Sequence, residues 1–349
     1  MKERDDVKIG VVLFNLGGPD SLEAVEPFLE NLFSDPAIIS LPWIFRKPLA
    51  KFIARRRAPI ARDIYEKIGG RSPILPETHR QARALEHVLV ARGHEARAVI
   101  AMRAWKPFSD EAAKELKAWN PQRVVLLPLY PQFSTTTTQS SLDDWKAAKK
   151  RSGLQVPQSR VCCYPWANGF IDAQAALIGE CWAKKKAAVD YRLLLSAHGL
   201  PKRVIDKGDP YRWQVEKTAQ AIVEKLGIAN LDWNVCYQSR VGPLEWIAPA
   251  TDAEIRRAGR EGKGVIVAPI AFVSEHSETL VELDIEYGKL ARENGVVDYL
   301  RVPTVSTQTA FIATLADLVE RAIAGNSAVT CGDGRICPRG MSRCGFEAA

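Results

Sequence analysis

The strongest chemical signal in the chain lies in residues 265–287, VIVAPIAFVSEHSETLVELDIEY. Glu275, His276, Glu278, Glu282, Asp284 and Glu286 follow directly on the apolar run Val265 to Val273. Glu278, Glu282 and Glu286 are spaced by four, so on a helix they form one row of carboxylates. Like charges at that spacing repel by roughly 0.2–0.5 kcal/mol per pair on an exposed face, and by more when buried. A solvated helix face accepts such a row cheaply. A row lining a cleft needs a use, and handling a cation is the obvious one. The position, straight off a buried strand with a histidine inside the run, favours the second reading.

His198 is the other candidate. It follows the apolar Leu193–Leu195 and precedes Gly-Leu-Pro, so the chain turns sharply and presents the imidazole at a sheet end. Neutral imidazole, with a reference pKa of about 6.5, accepts a proton near neutrality. Taken alone, a satisfied core histidine is as common. Beside the acidic row, proton transfer or metal binding is the better reading. His79, His87 and His94 lie in THRQARALEHVLVARGHEA, which reads as an amphipathic helix with an exposed polar side. Ser134–Thr138 and Ser140-Ser141 suit a hydroxyl cradle for an anion or a polar turn capping the next helix, the latter slightly favoured. Trp246 in PLEWIAP fits either core or a platform for a flat ligand.

Two further segments stand out. In 28–57, Leu41, Trp43, Ile44, Phe45, Leu49 and Phe52 crowd between prolines and end in Arg55-Arg56-Arg57. An apolar face bordered by cations suits a membrane interface or an apolar ligand bearing carboxylates, with a buried helical hairpin as the alternative. In the tail, Cys331, Cys337 and Cys344 stand in CGDGRICPRGMSRCG. Cytosolic disulfides are rare, so three cysteines in a glycine-rich stretch suggest metal ligation. The tight C-x2-C of zinc sites is absent. A four-thiolate site draws its fourth ligand from Cys162, Cys163, Cys181 or Cys236; the alternative is an unstructured tail.

The elements that must position these residues alternate short apolar runs with longer helical patterns, the mark of βαβ units and a parallel sheet. Strands are expected at Ile9–Phe14, Ala98–Met102, Val124–Leu127 and near Val161. The series restarts at Arg192–Leu195, Trp233–Cys236, Val265–Val273 and Tyr299–Val302. LFNLGGP in the first series matches LLSAHGLP in the second, and LLPLYPQFS matches VAPIAFVSE. Two similar α/β halves follow, with ligand chemistry expected past the strand ends. A lobe over 1–165, a second over 166–309, a closing helix over 310–325 and a cysteine tail over 326–349 are expected. LGGP lacks G-x-G-x-x-G spacing, so nucleotide binding is disfavoured.

Bulk properties agree. The 349 residues are 46% hydrophobic and 26% charged, which describes a globular protein with a real core. No run reaches the roughly 18–20 apolar residues that span a bilayer. The start, MKERDDVKIG, carries no apolar leader segment, so a cytosolic location is expected. The net charge of +7 is spread widely and argues against nucleic acid as a partner.

Taken together the motifs resemble ferrochelatase, from about residue 8 to 320. They are NLGGP (15–19), FLENLFSDP (28–36), RRRAP (55–59), GGRSP (69–73), PLYPQFSTTTTQSS (128–141), SAHGLP (196–201), GDPY (208–211), YQSRVGPLEW (237–246) and AFVSEHSETLVELDIEY (271–287). The resemblance implies two Rossmann-like lobes with parallel sheets and a porphyrin cleft between them. It also implies insertion of ferrous iron into protoporphyrin IX in the last step of haem synthesis. It places His198 and Glu278 on opposite sides of the macrocycle, with Fe2+ and pyrrole protons shared between them, and His276, Glu282, Asp284 and Glu286 along a metal or proton path that includes a widened helical turn. Leu16, Arg56, Arg57, Tyr65, Ser72 and Trp246 would surround the porphyrin, and 28–57 would form an apolar, membrane-facing lip.

The reaction has physical demands of its own. A flat porphyrin hides its nitrogen lone pairs in the ring plane and carries two N–H protons that must leave. Bending the ring exposes the lone pairs, with strain of order 1–5 kcal/mol drawn from binding elsewhere. Some relatives also carry a [2Fe–2S] cluster on three tail cysteines and one body cysteine; the resemblance assigns Cys163, Cys331, Cys337 and Cys344, with Cys162 as rival. Two positions depart from the family pattern: Ala104 stands where many relatives have Tyr, and Leu16 where others have Met. A coproporphyrin or other tetrapyrrole chelatase, a non-catalytic tetrapyrrole carrier and a homodimer are the open alternatives.

Overall fold

The computed structural model describes residues 7–240, 242–325 and 328–346. Residues 1–6, which carry most of the charged start, lie outside the described residues. Among the described residues nine strands follow in chain order: β1 (Lys8–Asn15), β2 (Glu95–Met102), β3 (Arg123–Pro128), β4 (Gln158–Cys163), β5 (Tyr191–His198), β6 (Asp232–Gln238), β7 (Gly264–Pro269), β8 (Tyr299–Arg301) and β9 (Ala328–Thr330). They form two sheets, ordered β2-β1-β3-β4-β9 and β6-β5-β7-β8, and every pairing is parallel.

The chain divides into two compact units. The first comprises Met1–Tyr164, Ile312–Ile336 and Gly345–Ala349, and holds the five-stranded sheet. Its central strand β1 is buried from Ile9 onward, so its near-continuous apolar sequence KIGVVLFN suits a strand covered on both faces. Helices Ser109–Trp119 and Thr138–Ser152 cover one face, packing Ala113, Leu116 and Trp145 on Val12, Phe14 and Val124. The second unit comprises Pro165–Phe311 and Cys337–Cys344. Its helix Thr251–Arg260 lays Ile255 and Ala258 on Leu194, Val265 and Val267.

The order β6-β5-β7-β8 repeats β2-β1-β3-β4 step for step, so the duplication read from the sequence is also a duplication of topology. In each sheet the first strand is the switch point, where the chain turns one way to the next strand and the other way to the one after. Crevices for ligands open past the carboxyl ends of such strands.

Three features differ from expectation. The apolar run Val265–Val273 gives a strand only as far as Pro269, because proline cannot donate to the ladder; Ile270 still donates to the Ser196 carbonyl at 2.9 Å before the chain leaves the sheet. The tail does not stand apart: Ala328–Thr330 pairs with β4, and Ile336 and Phe346 pack on Cys162 and Cys163. His94 likewise lies beyond the helix Ile74–Ala91 that carries His79 and His87, and its Nε2 meets Glu320 Oε1 at 2.9 Å.

Candidate active site

The second unit gathers His198 and the acidic run around its own switch point. His198 is the last residue of β5. Its carbonyl accepts the Tyr211 hydroxyl at 3.0 Å, and its Nδ1 lies 2.5 Å from the Gly199 carbonyl. A carbonyl only accepts, so Nδ1 carries the hydrogen, and Nε2 is left facing Glu278 Oε1 at 3.6 Å. Gly199 has to be glycine: a Cβ there would sit 2.9 Å from the Gln238 carbonyl and 3.3 Å from Trp246 Cε3. Gly199 N donates to that same carbonyl at 2.8 Å, and Ile247 N to Leu200 at 3.0 Å, which packs Trp246 behind the histidine turn.

The acidic run forms a π-helix, Glu278–Glu286, continued by the helix Tyr287–Glu293. An α-helix completes a turn in 3.6 residues, so residues four apart drift by about 40° per step; the wider π turn keeps the row better aligned. Along it exposure rises from the partly covered Glu278 and Glu282 to the exposed Glu286. Two histidines flank Glu278: His198 at 3.6 Å from Oε1 and His276 Nε2 at 3.6 Å from Oε2. Burial alone would raise the Glu278 carboxyl, but the charge of His198, the contact with His276 and a smaller contribution from Ser239 outweigh it and bring it down to about 2.

Glu282 is held by four donors. Gln238 Nε2 reaches it at 3.1 Å, Ser239 N at 2.8 Å, the Tyr287 hydroxyl at 2.9 Å, and the Ser239 hydroxyl bonds the same oxygen as Gln238. Gln238 also donates to the Glu278 carbonyl at 2.9 Å, so one buried amide ties both turns of the π segment to the end of β6. Ser239 takes φ +62°, a left-handed backbone costly for a non-glycine residue, and that conformation points both its donors at Glu282. Burial and the Glu278 charge still push the Glu282 carboxyl above its ordinary range, against the bonds from Ser239 and Tyr287.

The structure therefore brings His198, His276, Glu278 and Glu282 together within one unit. It corrects the expectation that His198 and Glu278 sit on opposite sides of the macrocycle. They stand on neighbouring strand ends, at ion-pair distance, and a macrocycle cannot lie between groups 3.6 Å apart. The expectation failed because sequence motifs fix which residues follow each strand, while the strand order that makes β5 and β7 neighbours is a property of the folded sheet. Asp284 is bound by Arg301 instead of facing Glu278. Sequence reasoning marked the segment holding Gln238 and Ser239 but gave neither a role, and it missed Tyr287 and Arg301. Nothing in single-residue patterning marks a serine that will adopt positive φ.

The residues expected around the porphyrin lie in the first unit, Trp246 excepted. Tyr65 and Ser72 are buried; Arg57 lies over Phe33 and Arg56 over Phe52, each 5.9 Å from the ring centre. Leu16, Ala104 and Trp105 share one apolar cluster with Tyr65, and Ala104 N donates to Leu16 O at 2.8 Å, so the two departures from the family pattern are neighbours. The 28–57 segment is no buried hairpin. Its helix Trp43–Glu66 buries Ala50, Ala54 and Ala58 and turns Trp43, Phe45 and Phe52 outward, each more than half exposed. Ser140, expected in a polar turn, is buried and donates to Asp35 while accepting from Arg103 Nε at 2.7 Å. Among the described residues no three His, Cys, Asp or Glu side chains gather around a single point as ligands of one ion.

This combination, a doubled four-strand parallel order with a histidine and a carboxylate row past the strand ends of one half, defines a chelatase-like α/β protein. In fold it is similar to a sirohydrochlorin chelatase from Bacillus subtilis subspecies spizizenii solved with cobalt, at TM-score 0.53 and 10% identity over 91% of this chain and 97% of that one. The chain belongs to the ferrochelatase family, whose pattern matches residues 8–323. It is 54% identical to the ferrochelatase of Phenylobacterium zucineum, over 97% of this chain and 98% of that protein. It is also 54% identical to that of Caulobacter vibrioides, with 97% of each covered, and 49% identical to that of Pelagibacter ubique, with 90% and 91% covered.

Proposed function

We infer that this chain is a ferrochelatase, an enzyme that inserts ferrous iron into a porphyrin in haem synthesis. The carrying observation is the pairing of a histidine with a carboxylate row at one switch point, in a chain that follows the family pattern over nearly its whole length. His198 and Glu278 are the proposed catalytic pair. In its neutral form His198 would carry its lone pair on Nε2, with Nδ1–H held by Gly199, and is then the base placed to take a pyrrole proton or to meet the metal. Glu278 stays ionised and attracts the dication, and His276 supports it from the other oxygen. Because both groups work from one side, deprotonation and metal delivery use the same face of the ring. Glu282 and the exposed Glu286 extend the carboxylate row from that face to solvent, a route for ions.

Leu16, Arg56, Arg57, Tyr65, Ser72 and Trp246 are the proposed porphyrin contacts. The exposed aromatic face of Trp43–Glu66 favours the less polar protoporphyrin IX over coproporphyrin. The same face, bordered by Lys47, Lys51 and Arg55, suits peripheral contact with the inner face of the cell membrane by an enzyme of the cytosol. No described helix is long and apolar enough to cross a membrane.

A [2Fe–2S] cluster is the proposed resident cofactor, supported by the thiol chemistry of the candidate donors and by the pairing of the tail with β4. Cys163 is fully buried, its Cα pairs in register with Thr330, the chain neighbour of Cys331, and the ladder shifts register between Val161 and Cys163, leaving Cys162 at the irregularity. Cys337 Sγ accepts from the buried Gln214 Nε2 at 3.1 Å. Cys236 is a poor rival, since burial pushes its thiol up to about 12. Cys163, Cys331, Cys337 and Cys344 would hold the cluster, which when bound would supply one-electron redox chemistry.

The test is zinc or ferrous insertion into protoporphyrin IX followed by absorbance. Turnover establishes the reaction; turnover of coproporphyrin alone moves the substrate; inertness towards both in folded protein leaves a carrier.

A further inference from the structure

Arg301, the last residue of β8, makes a bridge that the scheme above leaves unused. Its Nε and Nη2 donate to the two oxygens of Asp284 at 2.8 and 2.7 Å, and its Nη1 donates to Glu275 Oε1 at 2.6 Å. One guanidinium is thus shared by an acid on each side of Glu278. Glu275 is further saturated by Thr304 N at 3.0 Å and by the Thr279 hydroxyl. Only 13% of the Arg301 side chain is exposed. A planar fork with five fixed donors fits such a double engagement, and a lysine does not reproduce it.

We propose that Arg301 is a positioning residue that withdraws Asp284 and Glu275 from metal handling and anchors the π segment on both sides of Glu278. The metal ion is thereby left to the His198–Glu278 pair. The inference deepens the functional reading above and rests on it for the identity of the ion.

The argument is one of competing ligands. Divalent cations seek converging oxygens, and carboxylates are the strongest offered here. Asp284 and Glu275 both have oxygens within 2.8 Å of the guanidinium nitrogens, so removing that group would leave two carboxylates converging on the space it filled. An ion caught there would sit away from His198. The same fork joins the segment leaving β7 to the second turn of the π helix, so its loss also frees Glu278 to move relative to the histidines.

The experiment compares wild type, Arg301→Gln, Arg301→Lys and the double variant Arg301→Gln with Asp284→Asn. Zinc ion alone is titrated calorimetrically into porphyrin-free protein, and steady-state zinc insertion gives separate KM values for metal and porphyrin. Arg301→Gln is expected to bind one additional zinc per chain and to raise the metal KM about tenfold, with the porphyrin KM within about twofold. The double variant loses the additional ion. Arg301→Lys, which keeps the neutralising charge, retains wild-type stoichiometry. Folded Arg301→Gln with wild-type stoichiometry and metal KM overturns the proposal, as does a change in the porphyrin KM alone. Should Arg301→Gln fail to fold, Arg301→Lys decides: an additional ion or a shift in the porphyrin KM overturns the proposal, and a metal KM shift without either supports it. Wild type that inserts no zinc sinks the reaction itself, while the stoichiometry comparison still judges Arg301.

Discussion

His198 Nε2 stands 3.6 Å from Glu278 Oε1; His198 ends β5, and Glu278 opens the π-helix that follows the adjacent parallel strand β7. That closeness makes them one chemical unit. Glu278 holds the imidazole near a negative charge, and the imidazole helps keep Glu278 ionised despite its burial.

His198→Ala and Glu278→Gln should each lower kcat for zinc insertion by roughly 10²–10⁴-fold, the usual worth of a positioned acid–base group. Porphyrin binding, read from absorbance or fluorescence of the bound ring, should survive in both. Because the two act together, the double variant should lose little more than either single one. A multiplicative loss would show that they work independently.

The acidity of Glu278 sets a pH signature in stability. Its folded carboxyl is depressed to about 2 from an ordinary value near 4.5. A depressed acid stabilises the fold above its unfolded pKa, and that contribution is lost as pH falls through the folded value. Wild type minus Glu278→Gln should therefore show a stability difference that shrinks as pH falls between about 4.5 and 2. Glu282 has the opposite sign. Its raised carboxyl favours the fold at low pH, and that contribution fades as pH rises through the raised value. Urea unfolding across this range measures both.

The architecture was legible because strands buried on both faces, such as Ile9–Phe14 and Leu193–Leu195, are apolar runs, while the half-covered β6 and β8 followed from the alternation with helical patterns. The ninth strand, Ala328–Thr330, was not legible, since three residues between a serine and a cysteine carry no period. At the site, His198 and the carboxylate row could be read because their types are unusual straight after buried strands. Their side-by-side placement could not, for it depends on strand order. Gln238, Ser239 and Arg301 escaped for a further reason: each acts through hydrogen bonds to residues 17 to 44 positions away, and such geometry leaves no local pattern.

The helix Trp43–Glu66 has its large apolar groups on the wrong side for a core helix. Replacing Trp43, Phe45 and Phe52 by Ser should change folding stability by less than about 0.5 kcal/mol each, as expected for exposed positions. Sedimentation with anionic vesicles should nevertheless fall sharply. Ala54→Leu, on the buried face, should do the reverse, destabilising by about 1–3 kcal/mol through overpacking while leaving vesicle binding in the folded fraction. Equal vesicle binding by the triple serine variant would remove the membrane reading of this face.

The two adjacent cysteines of β4 offer the sharpest test of the tail. Cys163 pairs in register with Thr330, next to Cys331, whereas Cys162 sits at the irregularity in the ladder. Both are buried beside Phe133, Ile336 and Phe346, so serine at either position costs packing of similar size and stability alone will not separate them. Iron and acid-labile sulfide content will. Cys163→Ser should lose the visible absorption of the cluster and both elements, as should Cys331→Ser, while Cys162→Ser should keep about two irons and two sulfides per chain. The reverse pattern would transfer the ligand to Cys162. Wild type purified anaerobically without iron or sulfide would remove the cluster from this chain altogether.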